Sequence, residues 1–484
     1  MQNDFMSLLN FTLPTDLNFW GVLYFLVEIF AISFAIKAVI TARTSQGAIA
    51  WAISLVVLPW ITIPIYLVFG THRLEAHLLR RRRGEEFVGR DALDLSLLKD
   101  CRCTNEEIKS HQVLEKLSLL PFLKGNKLKL LINGHQTFET IFQAIDQAKH
   151  YVLIQFFIVD DDDLGMQLKQ KLIAARARNV RVFFLYDAIG SRELDGSYVD
   201  ELHSHGVEIH SFRLGKRAYP WQINFRNHRK IVVVDGLKAY VGGHNVGDEY
   251  VDKDPKLSPW RDTHVEIIGP AATALQIPFL EDWYWSTEKI PKLIWKPEIQ
   301  TENQSVLIFP TGPADQMESC GLFFTHLINH AKSEIWIASP YFVPDGKIQS
   351  ALKLAALSGV DVRIMLPEKP DHVMVYWARY DYLNALQSAG VKFYFYRKGF
   401  LHQKVLQVDG EIACVGTANL DNRSFRLNFE VQALSVDKKF STEVRDMLLN
   451  DFSHCELASI YDLKKRTIWE RIIIKFSRLF SPIL

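Results

Sequence analysis

The sequence predicts an α/β protein: two similar lobes, each a mixed sheet flanked by helices, sharing one central active site and preceded by an N-terminal transmembrane helical hairpin. Three observations carry this expectation. Apolar strand-like runs alternate with helical segments in the same order twice along the chain, as in a sheet covered on both faces. One short motif occurs in each half, its histidines 174 residues apart, about a domain's length. Near the N-terminus, two apolar runs each approach the roughly 20 residues that a helix needs to cross a bilayer.

Those runs are residues 17–36, interrupted by Glu28, and 48–69, which contain Pro59 and Pro64. The connector is short enough that both outer ends should lie on one side. No Lys or Arg precedes the first run, which argues against a signal peptide. Six Lys/Arg follow the second run between Arg73 and Arg90, with Arg80 to Arg83 consecutive. By the positive-inside rule they put the rest of the chain in the cytoplasm, where they would also attract anionic headgroups. The prolines leave a re-entrant or interfacial hairpin as the alternative. The net charge of +1 gives no general attraction to nucleic acid. The five cysteines are scattered and form no disulfide framework, which suits a reducing compartment.

The expected divisions are 1–70 for the membrane helices, 71–126 for a basic juxtamembrane linker, 127–300 and 301–460 for the lobes, and 461–484 for a basic amphipathic helix. The first lobe reads as strand 127–132, helix 137–149, strand 151–159, helix 164–177 and strand 180–186. The second reads as strand 305–309, a helix ending at Ala331-Lys332, strand 334–338, helix 347–358 and strand 360–366. Each then has a helix, a strand and the motif hairpin. From Lys464 to Leu479, basic residues alternate with Ile468, Trp469, Ile472, Ile473, Phe476 and Leu479, a pattern suited to the membrane interface or to packing on the lobes. Lys216, Tyr219 and Trp221, ahead of the first motif, could touch headgroups.

The motif itself is His228-Arg229-Lys230, four residues, Asp235, six residues, Gly242-Gly243-His244-Asn245. Its second copy is His402-Gln403-Lys404, four residues, Asp409, six residues, Gly416-Thr417-Ala418-Asn419. Each copy reads as a strand, an Asp-Gly turn and a second strand. Side chains two apart on a strand share a face, so His228 joins Lys230 and His402 joins Lys404. Asp235 and Asp409 sit at odd spacing and should pin the turn or support the histidine. If the hairpins face one another, two imidazoles, two ammonium groups and the amides of Asn245 and Asn419 surround one cleft. That set suits a phosphodiester: cations and amides hold the phosphoryl oxygens, one histidine attacks phosphorus and the other protonates the leaving alcohol. No metal or other cofactor is expected, since lysines supply the positive charge and the motifs hold no tight ligand cluster. Asp262 and Glu430 occupy corresponding places in the repeat, each suited to fixing a histidine's tautomer.

The duplicated His-x-Lys-x₄-Asp motif resembles the phospholipase D superfamily. Further stretches make the chain similar to its bacterial cardiolipin synthases: Asn419-Leu420-Asp421-Asn422-Arg423-Ser424, Asn428-Phe429-Glu430, Ser339-Pro340-Tyr341-Phe342-Val343-Pro344-Asp345 and Pro259-Trp260-Arg261-Asp262-Thr263-His264. The likeness implies two phospholipase D-like lobes, with His228, Lys230, Asp235, His402, Lys404 and Asp409 as the catalytic set. It implies a phosphatidyl transfer in which two phosphatidylglycerol molecules give cardiolipin and glycerol through a phosphohistidine. Partners would be phosphatidylglycerol and an anionic lipid membrane, the bacterial inner membrane, with no nucleic acid; the oligomeric state stays open. A lipid hydrolase, a membrane-tethered nuclease and a non-enzymatic scaffold are the competing readings.

Overall fold

A computed structural model describes residues 19–42, 44–70, 98, 100–213, 224–369, 371–459 and 465–484. The chain divides into two compact units, Met1–Arg73 with Ala218–Asn224, and Leu74–Arg217 with Phe225–Leu484.

In the first unit the helix Phe19–Thr41 spans 23 residues. At 1.5 Å per residue it is about 35 Å long, enough to cross a hydrocarbon core of about 30 Å. The second apolar run differs from the expectation of one spanning helix. It breaks at Leu58 into Ser45–Val57 and Pro59–Phe69, of 13 and 11 residues. Pro59 brings no N–H and steers the preceding residue out of the α region; Leu58 sits at φ −133°, ψ 56°. The Thr62 hydroxyl donates to the Ser54 carbonyl across the break at 2.9 Å. Among the described residues, Phe19–Thr41 alone is long and apolar enough to span.

The second unit is built on one continuous sheet whose halves repeat each other. From the outer edge inward, the first lobe runs Glu208–Phe212, Arg181–Asp187, Tyr151–Phe156, Ile231–Val234, Lys238–Gly242, Thr263–Ile268 and Leu123–Ile132. The second repeats this order with Lys392–Tyr396, Asp361–Pro367, Glu334–Ala338, Val405–Val408, Ile412–Gly416, Asn428–Val436 and Gln304–Thr311. In each lobe the first three of these strands are parallel and the inner ones antiparallel; the second lobe adds an antiparallel edge strand, Cys455–Leu457, beyond Lys392–Tyr396. Leu123–Ile132 pairs antiparallel with Gln304–Thr311 and joins the halves. Strand alternation sorts the first lobe's core: Val152, Ile154, Val232 and Val234 face helices Asn133–Gln147 and Asp163–Ala177. Leu153, Ile231 and Val233 face the helix Pro270–Thr287.

The expected linker is in part core. Cys101, Cys103, Ile108, Leu114, Leu120 and Phe122 are buried in the main apolar cluster. The Glu115 carboxylate, itself buried, accepts from the Phe122 N–H at 2.8 Å. These apolar residues follow neither helical nor strand period, so the sequence pattern gave them no face. Residues 214–223, with Lys216, Tyr219 and Trp221, and the arginines 80–83 lie outside the described residues.

Candidate active site

Each motif folds as a strand, a tight turn and a return strand. Ile231 pairs with Val241 and Val405 with Val415. The turns need positive φ at two successive residues, met by Asp235 (55°) with Gly236 (71°) and Asp409 (53°) with Gly410 (66°). The aspartates then reach sideways. Asp235 accepts from the backbone N–H of Lys149, His150 and Tyr151 at 2.8–2.9 Å. Asp409 accepts from those of Lys332, Ser333 and Glu334 at 2.7–2.9 Å. Each ties its hairpin to the start of the neighbouring strand, seven residues and about 23 Å of extended chain from its histidine. Asp235 and Asp409 thus pin their turns, one of the two roles that their odd spacing suggests, and stand at the far end of the hairpins from the histidines.

The histidines stand at the opposite end of the hairpins, where the lobes exchange short strands. Arg226–Asn227 of the first lobe pairs in parallel with Asn428–Phe429 of the second. Phe400–Leu401 of the second pairs in parallel with Trp260–Arg261 of the first. Continuing each register by one residue sets His228 beside Glu430 and His402 beside Asp262. His228 Nδ1 lies 2.9 Å from Glu430 Oε2, and His402 Nδ1 lies 2.7 Å from Asp262 Oδ2. Each carboxylate therefore serves the other lobe's histidine. A carboxylate accepts only, so Nδ1 carries the proton and Nε2 keeps its lone pair.

Lys230 and Lys404 share the histidines' face, as the two-residue period requires. Lys230 Nζ donates to the His228 carbonyl at 2.9 Å, and Lys404 Nζ to the His402 carbonyl at 2.5 Å. Both are buried, and among the described residues neither forms an ion pair with a carboxylate. Burial pulls Lys230 down to about 7 and Lys404 down to about 8, against the pull of Glu430 and Asp262. Burial also holds His228 and His402 down to about 4. The neighbouring imidazoles and ammonium groups keep Glu430 and Asp262 well below the ordinary carboxylate range despite burial. Glu430 and Asp262 supply the nearby negative charge, but their hydrogen bonds go to the histidines, so among the described residues neither lysine is tied up in a direct ion pair. The residues between turn the other way: Arg229 pairs with Asp282 at 2.9 Å, and Gln403 donates to Asp451 at 2.9 Å.

His228, His402, Asn245 and Asn419 line one cavity of about 710 Å³. The amides differ. Asn245 is spoken for, accepting from the Ile158 N–H at 3.1 Å and donating to the Tyr250 hydroxyl at 2.9 Å. Asn419 Oδ1 is buried and has no hydrogen-bond partner among the described residues. Arg226 and Tyr250, which the sequence reading did not single out, also line the cavity, as do Trp260, Arg423 and Tyr341 of the stretches quoted for the resemblance, Tyr341 hydrogen-bonded to Asp371. Burial and Arg423 push Arg226 down to about 10. Its signal was the period, since it stands two residues ahead of His228. Behind Asp262, His244 and His264 form a buried pair with Nδ1 atoms 3.0 Å apart.

A family profile described as "Cardiolipin synthase, PLD-like domain" matches residues 141–256 and 324–452. Cardiolipin synthase A of Pseudomonas syringae pv. syringae is 46% identical over 475 residues, covering 97% of this chain and 99% of the relative. Cardiolipin synthase A of Pseudomonas aeruginosa is 46% identical over 480 residues, covering 97% of each. In fold, the chain is similar to the phosphatidylserine synthase of Haemophilus influenzae Rd KW20, with a TM-score of 0.61 at 14% identity over 78% of this chain and all of that one.

Proposed function

Because the chain belongs to the bacterial cardiolipin synthases of the phospholipase D superfamily, and is accordingly a phosphatidyltransferase of phospholipid biosynthesis, we propose that it converts two phosphatidylglycerol molecules into cardiolipin and glycerol. One observation carries the reading: two histidines, each backed by the opposite lobe's carboxylate, open on one cavity with two buried lysines beside them. The His228 Nε2 lone pair attacks the phosphorus of the first lipid. The bond from phosphorus to the headgroup glycerol breaks; His402, which takes up a proton on Nε2 as the anionic phosphodiester binds, gives that proton to the departing oxygen, and glycerol leaves. A hydroxyl of the second lipid's headgroup then gives its proton to His402 as it attacks phosphorus, and the P–N bond returns its electron pair to His228. Lys230, Lys404 and Asn419 hold the phosphoryl oxygens, where charge builds in both transition states. Asn245 acts from one edge through Tyr250. One phosphodiester replaces another, so the exchange needs no nucleotide, and Lys230 and Lys404 supply the positive charge at the phosphoryl oxygens.

The membrane reading rests on Phe19–Thr41 and on the C-terminal helix. Ile468–Leu479 opens with a Thr467–Glu470 capping box and turns Ile474 and Ser477 inward. Lys475 and Arg478 clamp Asp381 at 2.5 and 2.6 Å, leaving Trp469, Ile472, Ile473, Phe476 and Leu479 exposed. Packing and an outward apolar face thus coexist on one helix, a surface suited to the bilayer interface. On this reading the enzyme sits in the bacterial inner membrane through its N-terminal apolar segment, with the catalytic unit on the cytoplasmic side.

The test is direct. Full-length protein in detergent, given phosphatidylglycerol and a chelator, releases glycerol in step with cardiolipin. Phosphatidic acid as main product would make it a hydrolase, and cleavage of oligonucleotides with a steep salt dependence a nuclease.

A further inference from the structure

Outside the cavity, three histidines from distant parts of the chain converge. His326 and His330 stand one turn apart on the helix Ser319–His330, so their side chains share a face. His111 caps the helix Gln112–Ser118, in the stretch ahead of the first lobe. One ligand atom of each ring lies within 4.8 Å of the others. We propose that His111, His326 and His330 bind a divalent transition-metal ion of the zinc class, clasping the segment that precedes the first lobe to the second lobe.

The hydrogen bonds already sort the nitrogens. His330 Nδ1 lies 2.8 Å from the His326 carbonyl oxygen. That oxygen only accepts, so Nδ1 carries the proton and Nε2 keeps the lone pair. Metal-binding histidines are oriented in the same way, one nitrogen on the ion and the other donating to a carbonyl. His111 Nδ1 and His326 Nε2 stand 2.9 Å apart and share one hydrogen between two rings. Around a tetrahedral zinc, with bonds of 2.0–2.1 Å, neighbouring nitrogens lie about 3.3 Å apart. The close contact then opens by a few tenths of an ångström and the third nitrogen moves in by about 1.5 Å at most, within reach of small ring rotations. An all-imidazole set suits zinc, nickel or copper and not calcium or magnesium. His111 is buried and the other two half-buried, which leaves one side open for water as a fourth ligand.

The clasp would act where packing and a side-chain hydrogen bond otherwise hold the segment to the second lobe. Cys103 Sγ lies 3.2 Å from Ser305 Oγ, and Cys101, Ile108 and Phe122 enter the same core. An ion bound only by the docked arrangement would stabilise it by mass action. The competing reading is a stack of neutral rings, with His326 and His330 centroids 3.9 Å apart.

The experiment uses the full-length chain without a polyhistidine tag, purified in detergent, stripped by chelator and titrated with Co²⁺, then Zn²⁺. About one Co²⁺ per chain should bind with visible bands of tetrahedral intensity and be displaced by Zn²⁺, and Zn²⁺ should raise the thermal midpoint. His326→Ala and His330→Ala should lose the bands, and His228→Ala should keep them. Should an alanine variant not fold, His330→Gln serves in its place, with basal lipid transfer showing that it is native. Absence of bands in the wild type, their survival in the His326 and His330 variants, or their loss in His228→Ala would overturn the proposal.

Discussion

The two halves of the site use the same motif to hold their histidines, yet they dress the supporting carboxylates differently. Glu430, behind His228, also accepts from the Thr417 hydroxyl at 2.6 Å and from the Asn428 amide at 3.1 Å. Asp262, behind His402, takes one backbone N–H from Thr263 at 2.8 Å. Where the second copy has Thr417, the first has Gly243, whose missing side chain makes room for the aspartate: a Cβ there would lie 2.0 Å from Asp262 Oδ1. The lysines differ too. Lys404 Nζ stands 3.0 and 3.1 Å from the two ring nitrogens of His402, whereas Lys230, among the described residues, donates only to its own histidine's carbonyl. An ammonium so close opposes a proton on His402 until an arriving phosphate draws the lysine away. Lys230 and Lys404 act on the His228 ring as well, but among the described residues neither stands at its nitrogens, which suits it to the nucleophile's part in the proposed mechanism. Duplication supplied two equal histidines, and the surroundings made them unequal.

The largest effects come from removing either ring. His228→Ala and His402→Ala should each lower cardiolipin formation by about 10⁴-fold or more, the scale of losing a nucleophile or its proton partner. An activated lipid phosphodiester with a p-nitrophenol leaving group sharpens the comparison, because that group departs without a proton. With it, His402→Ala should still accumulate the phosphoenzyme and His228→Ala should not. Trapped phosphate on His402 would exchange the two roles.

Next come the carboxylates. Glu430→Gln and Asp262→Asn should each cost about 10² to 10⁴ in rate, because an amide no longer fixes the Nδ1–H tautomer or supports the imidazolium. Gly243→Ala should match Asp262→Asn, since its Cβ meets the carboxylate. Rapid-quench measurements should show Glu430→Gln slowing the first burst. An unchanged burst would detach Glu430 from His228.

Much of this was legible in the sequence, and the physical reason is locality. A two-residue period put His and Lys on one face, and the Asp-Gly dipeptides set both turns, so each half-site could be drawn from about twenty consecutive residues. Asp262 and Glu430 stood out as repeated carboxylates. Which carboxylate serves which histidine was not legible, because it depends on two-residue strands paired across separations of 140 and 202 residues. The same limit hid the histidine cluster, where His326 and His330 show helical spacing but His111 lies 215 residues from His326. Proline at 59 was visible; that it would split the apolar run rather than bend it was not.

The pH response tests the burial shared by both halves. His228 and His402 are held to about 4, below the usual 6.5, so the folded protein refuses protons that the unfolded chain accepts. Stability should therefore fall as pH drops from about 6.5 towards 4, and fall further below that as Glu430 and Asp262 take up protons. A flatter slope is expected in His228→Gln and His402→Gln by thermal unfolding in detergent. In kcat/KM the acid limb should lie below 6.5, and the alkaline limb near 7 to 8, where Lys230 and Lys404 lose their charge. An acid limb at the ordinary histidine value would mean rings open to water.

The smallest effect concerns the feature that most plainly separates the halves. Thr417 donates to a carboxylate, a bond of the charged class worth about 1.5–3 kcal/mol, or roughly ten- to a hundredfold in rate if Glu430 matters only when correctly aimed. Its other contacts anchor it: the Val431 N–H donates to its hydroxyl at 2.9 Å. Thr417→Val, which keeps the shape and removes the hydroxyl, should thus cost about tenfold in kcat with little change in KM, and Thr417→Ser should restore the rate. No bond of this kind supports Asp262, so a valine effect as small as twofold would mean that Glu430 is aimed by Asn428 and the exchanged strands alone, as Asp262 is by its own strand.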